Sequence, residues 1–166
     1  MTSYIPKIAK SYFNQLLTET GEIEAVSRFS QFWGHRLDAN KRYFGLTQTE
    51  YFCEICLIYT GEVSNGGHAQ FFGNRGTKLI ADIEIALKRI GCEKHAKVLS
   101  DAAKKVSHLE ICTWIDWDII PKTAFDFWES SDQKLWSFED VDGALLNYLR
   151  DSSDSILLPE RDLVID

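Results

Sequence analysis

The chain has 166 residues, 45% of them apolar and 13% aromatic, and a formal net charge of −7. That is enough to bury one ordinary core without disulfide or metal staples, and too apolar for disorder beyond the termini. The charge is uneven: residues 1–115 carry 14 Lys and Arg against 12 Asp and Glu, whereas residues 116–166 carry 4 against 13. This balance disfavours direct contact with nucleic-acid phosphates and favours a basic protein partner.

In chain order, Ile5, Ile8, Tyr12, Phe13, Leu16 and Leu17 predict a first helix ending near Gly21. Ile23, Val26, Phe29 and Leu37 predict a second, so residues 1–45 read as an N-terminal helical pair. "TQTEYFCEICLIYTGEV" opens with Thr47 three residues before Glu50, the spacing of a capping box. Its apolar residues lie almost all round, which predicts a buried central helix.

"SNGGHAQFFGNRG" follows. Without flanking strands it is no hairpin, and it lacks the G-x-G-x-x-G spacing of a phosphate cradle. It reads as an architectural corner: glycines for the turn, Asn65 as the cap of a new helix, Phe71 and Phe72 for the core. Gly66→Val is expected to cost stability before it costs binding.

"TKLIADIEIALKRIG" and "CEKHAKVLSDAAKKV" predict two amphipathic helices joined at Gly91. "SHLEICTWIDWDIIPKT" fits a helical stripe or an alternating strand, and is read as a short helix and an irregular connection ending at Pro121. "KTAFDFWESSDQKLW" and "SFEDVDGALLNYLRDS" predict further helices, the latter capped by Ser137, and residues 152–166 form an acidic tail. The sum is an all-α, single-domain orthogonal assembly of about seven to nine helices over residues 1–166.

The pairs Cys53 with Cys56, Cys92 with His95, and His108 with Cys112 have helical spacing that could hold zinc. Buried cysteine is the commoner outcome inside an apolar helix, so no metal and no cofactor is expected. No hydrolase, zincin or Walker motif is present. The start "MTSYIPKIAKSYFNQLL" lacks the apolar core of a secretion signal, and no apolar run is long enough for a membrane span, so a cytoplasmic protein with reduced thiols is expected.

Around Asn65, Gly66, Gly67, Gln70, Phe71, Phe72 and Asn74 the sequence resembles a bacterial family of helical domains of unknown function whose best-known member is a DNA mimic. "ALKRIGCEKHAKVLSDA" and "AFDFWESSDQKLWSFEDVDGALLNYLRD" are similar to later segments of that family, so the likeness spans about residues 47–151. The resemblance implies an all-α, non-enzymatic protein. In such mimics, surface carboxylates imitate phosphates and occupy the DNA-binding face of a regulator, and related acidic proteins block toxin nucleases as immunity proteins.

The expected function is therefore occlusion of a basic partner, a DNA-binding regulator or a nuclease toxin, without direct nucleic-acid or membrane contact. The expected surface is Asp116, Asp118, Asp126, Glu129, Asp132, Glu139, Asp140 and Asp142. Mimicry requires these acids on one continuous face. A homodimer stands beside a monomer as the oligomeric alternative. The competing reading is a metal- or phosphate-binding enzyme built on the Cys and His pairs or the glycine-rich corner.

Overall fold

The computed structural model describes residues 46–110, 112–152, 155 and 156, together with 18, 21, 24, 26, 27 and 30. Most of the expected N-terminal helical pair and of the acidic tail lies outside the described residues. Among those described there are five α-helices, α1 (Gln48–Arg75), α2 (Ile80–Arg89), α3 (Glu93–Ala103), α4 (Lys122–Leu135) and α5 (Val141–Asp151), with 3-10 turns at Lys104–Val106 and Trp117–Ile119. No strand occurs among them, so the all-α expectation holds, with fewer helices in this part than the seven to nine expected for the whole chain. By its backbone contacts the chain forms two compact units, Ile55–Ala144 and a second made of Met1–Glu54 with Leu145–Asp166.

In the second unit, α1 begins as its sequence dictates. The Glu50 amide donates to Thr47 Oγ1 (3.2 Å) and the Thr47 amide to Glu50 Oε2 (2.8 Å), a complete capping box. Ser30 Oγ donates to Glu54 Oε2 at 3.2 Å, and Leu145, Leu149 and Ile156 are buried.

In the unit Ile55–Ala144, the apolar stripes decide the packing. Ile83, Ala86 and Leu87 of α2 and Ala96, Leu99 and Ala102 of α3 are buried, and these helices pack on each other and α3 on α4. Between α2 and α3 the Gly91 amide donates to Lys88 O (3.1 Å) and the Cys92 amide to Leu87 O (2.8 Å), the paired bonds of a Schellman turn. Phe72 stacks on Trp128 of α4 with centroids 4.9 Å apart, and the Trp128 indole donates to Ala102 O of α3 at 3.1 Å. One aromatic residue thus joins α1, α3 and α4.

In its described residues the ambiguous stretch before α4 is neither a strand nor an α-helix. It is irregular apart from the turn Trp117–Ile119, which Asp116 caps by accepting from the Asp118 amide at 3.1 Å. Pro121 then precedes α4. Ser137 does not cap the next helix; its hydroxyl donates to Lys134 O at 2.7 Å, and α5 starts only at Val141.

Candidate functional site

The glycine-rich stretch is the expected corner: α1 is made of two helical segments that meet at a kink, where the backbone leaves helical geometry at Gly66 (φ −154°, ψ 24°) and Gly67 (φ 70°, ψ −173°). Gly66 has a negative φ, but a Cβ there would meet the Gln70 side chain closer than van der Waals contact allows. The Gly67 conformation is essentially closed to residues with a side chain, and a Cβ there would meet the Asp132 carboxylate. Both glycines are thus tight, Gly66 against Gln70 and Gly67 through its left-handed backbone and Asp132, with the stronger demand at Gly67.

Two carboxylates stabilise the kink. The helix beyond it starts with amides that have no partner in their own turn. Asp132 Oδ2, from α4, accepts from the His68 amide at 3.1 Å, while Asp132 Oδ1 takes a short hydrogen bond from His68 Nδ1. The cap assigned to Asn65 is thus supplied by a residue 64 positions away, and Asn65 itself is exposed. With Nδ1–H donating to Asp132, the imidazole presents Nε2 to the Tyr59 hydroxyl, 3.0 Å away on the helix before the kink. Burial first, then the Asp132 charge, pushes the Tyr59 phenol up and keeps it protonated, as donation to Nε2 needs.

The second carboxylate is Glu62. Its Oε2 accepts from Gln70 Nε2 (2.8 Å) and Asn74 Nδ2 (2.9 Å), and its Oε1 from Arg75 Nε (2.7 Å). One acid before the kink thus ties down three residues after it. Burial alone would push its carboxyl up, but the three bonds and the Arg75 charge carry it below its ordinary value. Phe71 and Phe72 are fully buried, as expected; Gln70 and Asn74 are partners of Glu62.

Hydroxyl, imidazole and carboxylate stand in the order that activates a serine in hydrolases. Here the hydroxyl is a phenol 1% exposed and the imidazole is fully buried, so the arrangement locks the kink to α4. Among the described residues no three His, Cys, Asp or Glu are grouped to hold a metal ion. Burial also suppresses thiolate chemistry. It pushes the Cys56 thiol well up, and with the charges of Glu139 and Asp140 raises that of Cys92 to about 11.

Of the eight acids expected to form a surface, Asp116, Asp118, Asp126, Glu129, Asp140 and Asp142 are exposed. Asp132 turns inward to His68, and Glu139 is half-buried, accepting from the Lys94 amide at 3.3 Å. Asp126 forms an exposed ion pair with Lys122 at 2.9 Å. From sequence, the tryptophans beside these acids read as core anchors or as hot spots on a binding face, with the core favoured; Trp128 is buried, but Trp114 (61% exposed), Trp117 (48%) and Trp136 (77%) stand exposed among the acids, with Ile119 (54%).

Trp117 stacks on Phe125 with centroids 5.9 Å apart, and its ring lies where a Cβ on Gly73 would be 2.8 Å away. Phe125, Glu129, Asp132 and Trp136 face the kink residues across a groove of about 560 Å³. A smaller cavity of about 80 Å³ shares Val63, Ser64, Asp132 and Trp136 with it and reaches Tyr59 and His95.

The helical fold and the kink held from α4 define an all-α protein, with acids and tryptophans exposed beside the kink. A family model described as DMP19-like protein matches residues 46–158, and the chain belongs to that family. No curated protein and no solved structure matches it. Among the described residues, no helix is long and apolar enough to cross a membrane.

Proposed function

We propose that the chain is a non-enzymatic binding protein that occludes a basic, nucleic-acid-handling protein, as a decoy for DNA on a transcription regulator or as the immunity protein of a nuclease toxin. The carrying observation is the run from Trp114 to Trp136, where exposed indoles alternate with the exposed carboxylates of Asp116, Asp118, Asp126 and Glu129. Carboxylates steer a basic partner and reject acidic ones, while desolvated aromatic anchors supply most of the affinity at such interfaces. DNA presents a charge about every 1.7 Å along its axis, and its protein ligands are built to meet such an array. Membership of the DMP19-like family fits a protein of the DNA-mimic type.

The test is affinity capture from the source lysate, followed by identification and titration of the captured protein. A basic DNA- or RNA-handling partner is expected, whose association weakens with salt and with Asp116→Asn, Asp118→Asn, Asp126→Asn, and whose nucleic acid the chain displaces. A partner that is not basic, or binding indifferent to salt, overturns the reading.

A further inference from the structure

Resting on that reading, we propose that the groove beside the kink is a receptor for an arginine side chain of the protein partner. Its floor and walls combine two carboxylates, Glu129 and Asp132, with the rings of Phe125 and Trp136, and among the described residues neither the groove nor the adjoining cavity has a Lys or Arg in its lining. A cation entering there meets negative charge and aromatic faces and no competing cation. Trp136 is 77% exposed, so an indole is available for stacking.

The chemistry favours arginine over lysine. A guanidinium is planar, weakly hydrated and able to stack on an indole while its edge donates to carboxylates; an ammonium is a compact, strongly hydrated point charge. Asp132 accepts one bond at each oxygen from His68, and a carboxylate offers about four acceptor positions, so it retains capacity toward the groove. The adjoining cavity of about 80 Å³ is of the size of a guanidinium group, and the Tyr59 and His95 rings help to line it.

The probes are oligoarginine and oligolysine peptides of equal length, titrated by calorimetry against the full chain. Oligoarginine is expected to bind about fivefold more tightly than oligolysine, and Trp136→Ala to abolish that preference without unfolding an exposed position. Glu129→Gln is expected to weaken oligoarginine, while the triple change Asp116→Asn, Asp118→Asn, Asp126→Asn weakens both peptides alike and keeps their ratio. Equal affinities, absence of binding, or a preference that survives Trp136→Ala overturns the proposal. A basic partner captured from lysate whose binding ignores Trp136→Ala overturns it too, and leaves the broader function standing.

Discussion

The kink of α1 and the surface from Trp114 to Trp136 use the same residue types to opposite ends. At the kink, carboxylate, imidazole, phenol and amide groups bond to one another: Asp132 to His68, His68 to Tyr59, Glu62 to Gln70, Asn74 and Arg75. On the surface, carboxylates and indoles face solvent, and the ion pair there is exposed. A buried polar group is costly unless its partners are present, so the kink is sensitive to any lost partner. Exposed groups have water as the alternative, so the surface can change with little effect on stability.

The largest expected effect breaks the kink. Asp132→Ala removes the cap of the second half of α1 and leaves a fully buried His68 without its carboxylate. A loss of about 3–5 kcal/mol is expected from denaturant melts, because two hydrogen bonds to a charged acceptor are lost and the buried His68 donors are left without a partner. If the loss is no more than that of a surface substitution, Asp132 belongs with the exposed acids and the contrast fails.

Next comes a pair of glycine variants. Gly67→Ala forces an alanine into φ 70°, ψ −173° and drives its Cβ at the Asp132 carboxylate, with an expected cost of about 2–3 kcal/mol. Gly66→Ala needs no left-handed backbone but crowds Gln70 at Cβ and Oε1 and strains its bond to Glu62, so a smaller loss is expected there. Thermal midpoints of the two variants settle the order.

These positions also mark what a sequence can carry. The Thr47–Glu50 box, the Gly91 turn, the buried stripes of α2 and α3 and the burial of Phe71 and Phe72 were legible, because each is written in neighbouring residues or in a helical period. The bond from Asp132 to His68 spans 64 residues and follows no period, so a local rule assigned the cap to Asn65. The Glu62 clamp reaches 8, 12 and 13 residues along the chain, too far for an unbroken helix, so only the bend at Gly66 and Gly67 brings its partners together and no helical spacing reveals it. For Trp114, Trp117, Trp128 and Trp136 the sequence allowed both core and surface and the general tendency of tryptophan favoured the core, which holds for Trp128 alone.

Acid should loosen the kink and its neighbourhood in two stages. Burial holds the His95 imidazole below its ordinary 6.5, against the upward pull of the Glu139 carbonyl and carboxylate, and Glu62 lies below its ordinary 4.5. Both bind protons more readily when unfolded, so their contributions are complete at higher pH and lost on acidification. Denaturant midpoints should begin to fall below pH 6.5, as His95 is forced to charge, and fall again below 4.5 as Glu62 loses its charge. Glu62→Gln should reduce the second decline and cost about 1–2 kcal/mol at neutral pH, because an amide cannot accept at both ends from Gln70, Asn74 and Arg75.

The smallest effect on stability, and the largest on association, is expected at the surface. Asp116→Asn can still cap the turn at Trp117–Ile119 through its amide oxygen, and Trp136→Ala removes a ring that is 77% exposed, so neither should move the melting midpoint beyond experimental error. Both should weaken capture of a basic partner, the first chiefly through a slower, less salt-dependent on-rate and the second through a faster off-rate. The division follows from the physics of each group: a rim charge acts at a distance during encounter, whereas an indole contributes only once water has left the contact. A variant of Asp116 that melts early, or of Trp136 that melts early and still binds, would place that residue with the kink and erase the boundary between the two regions.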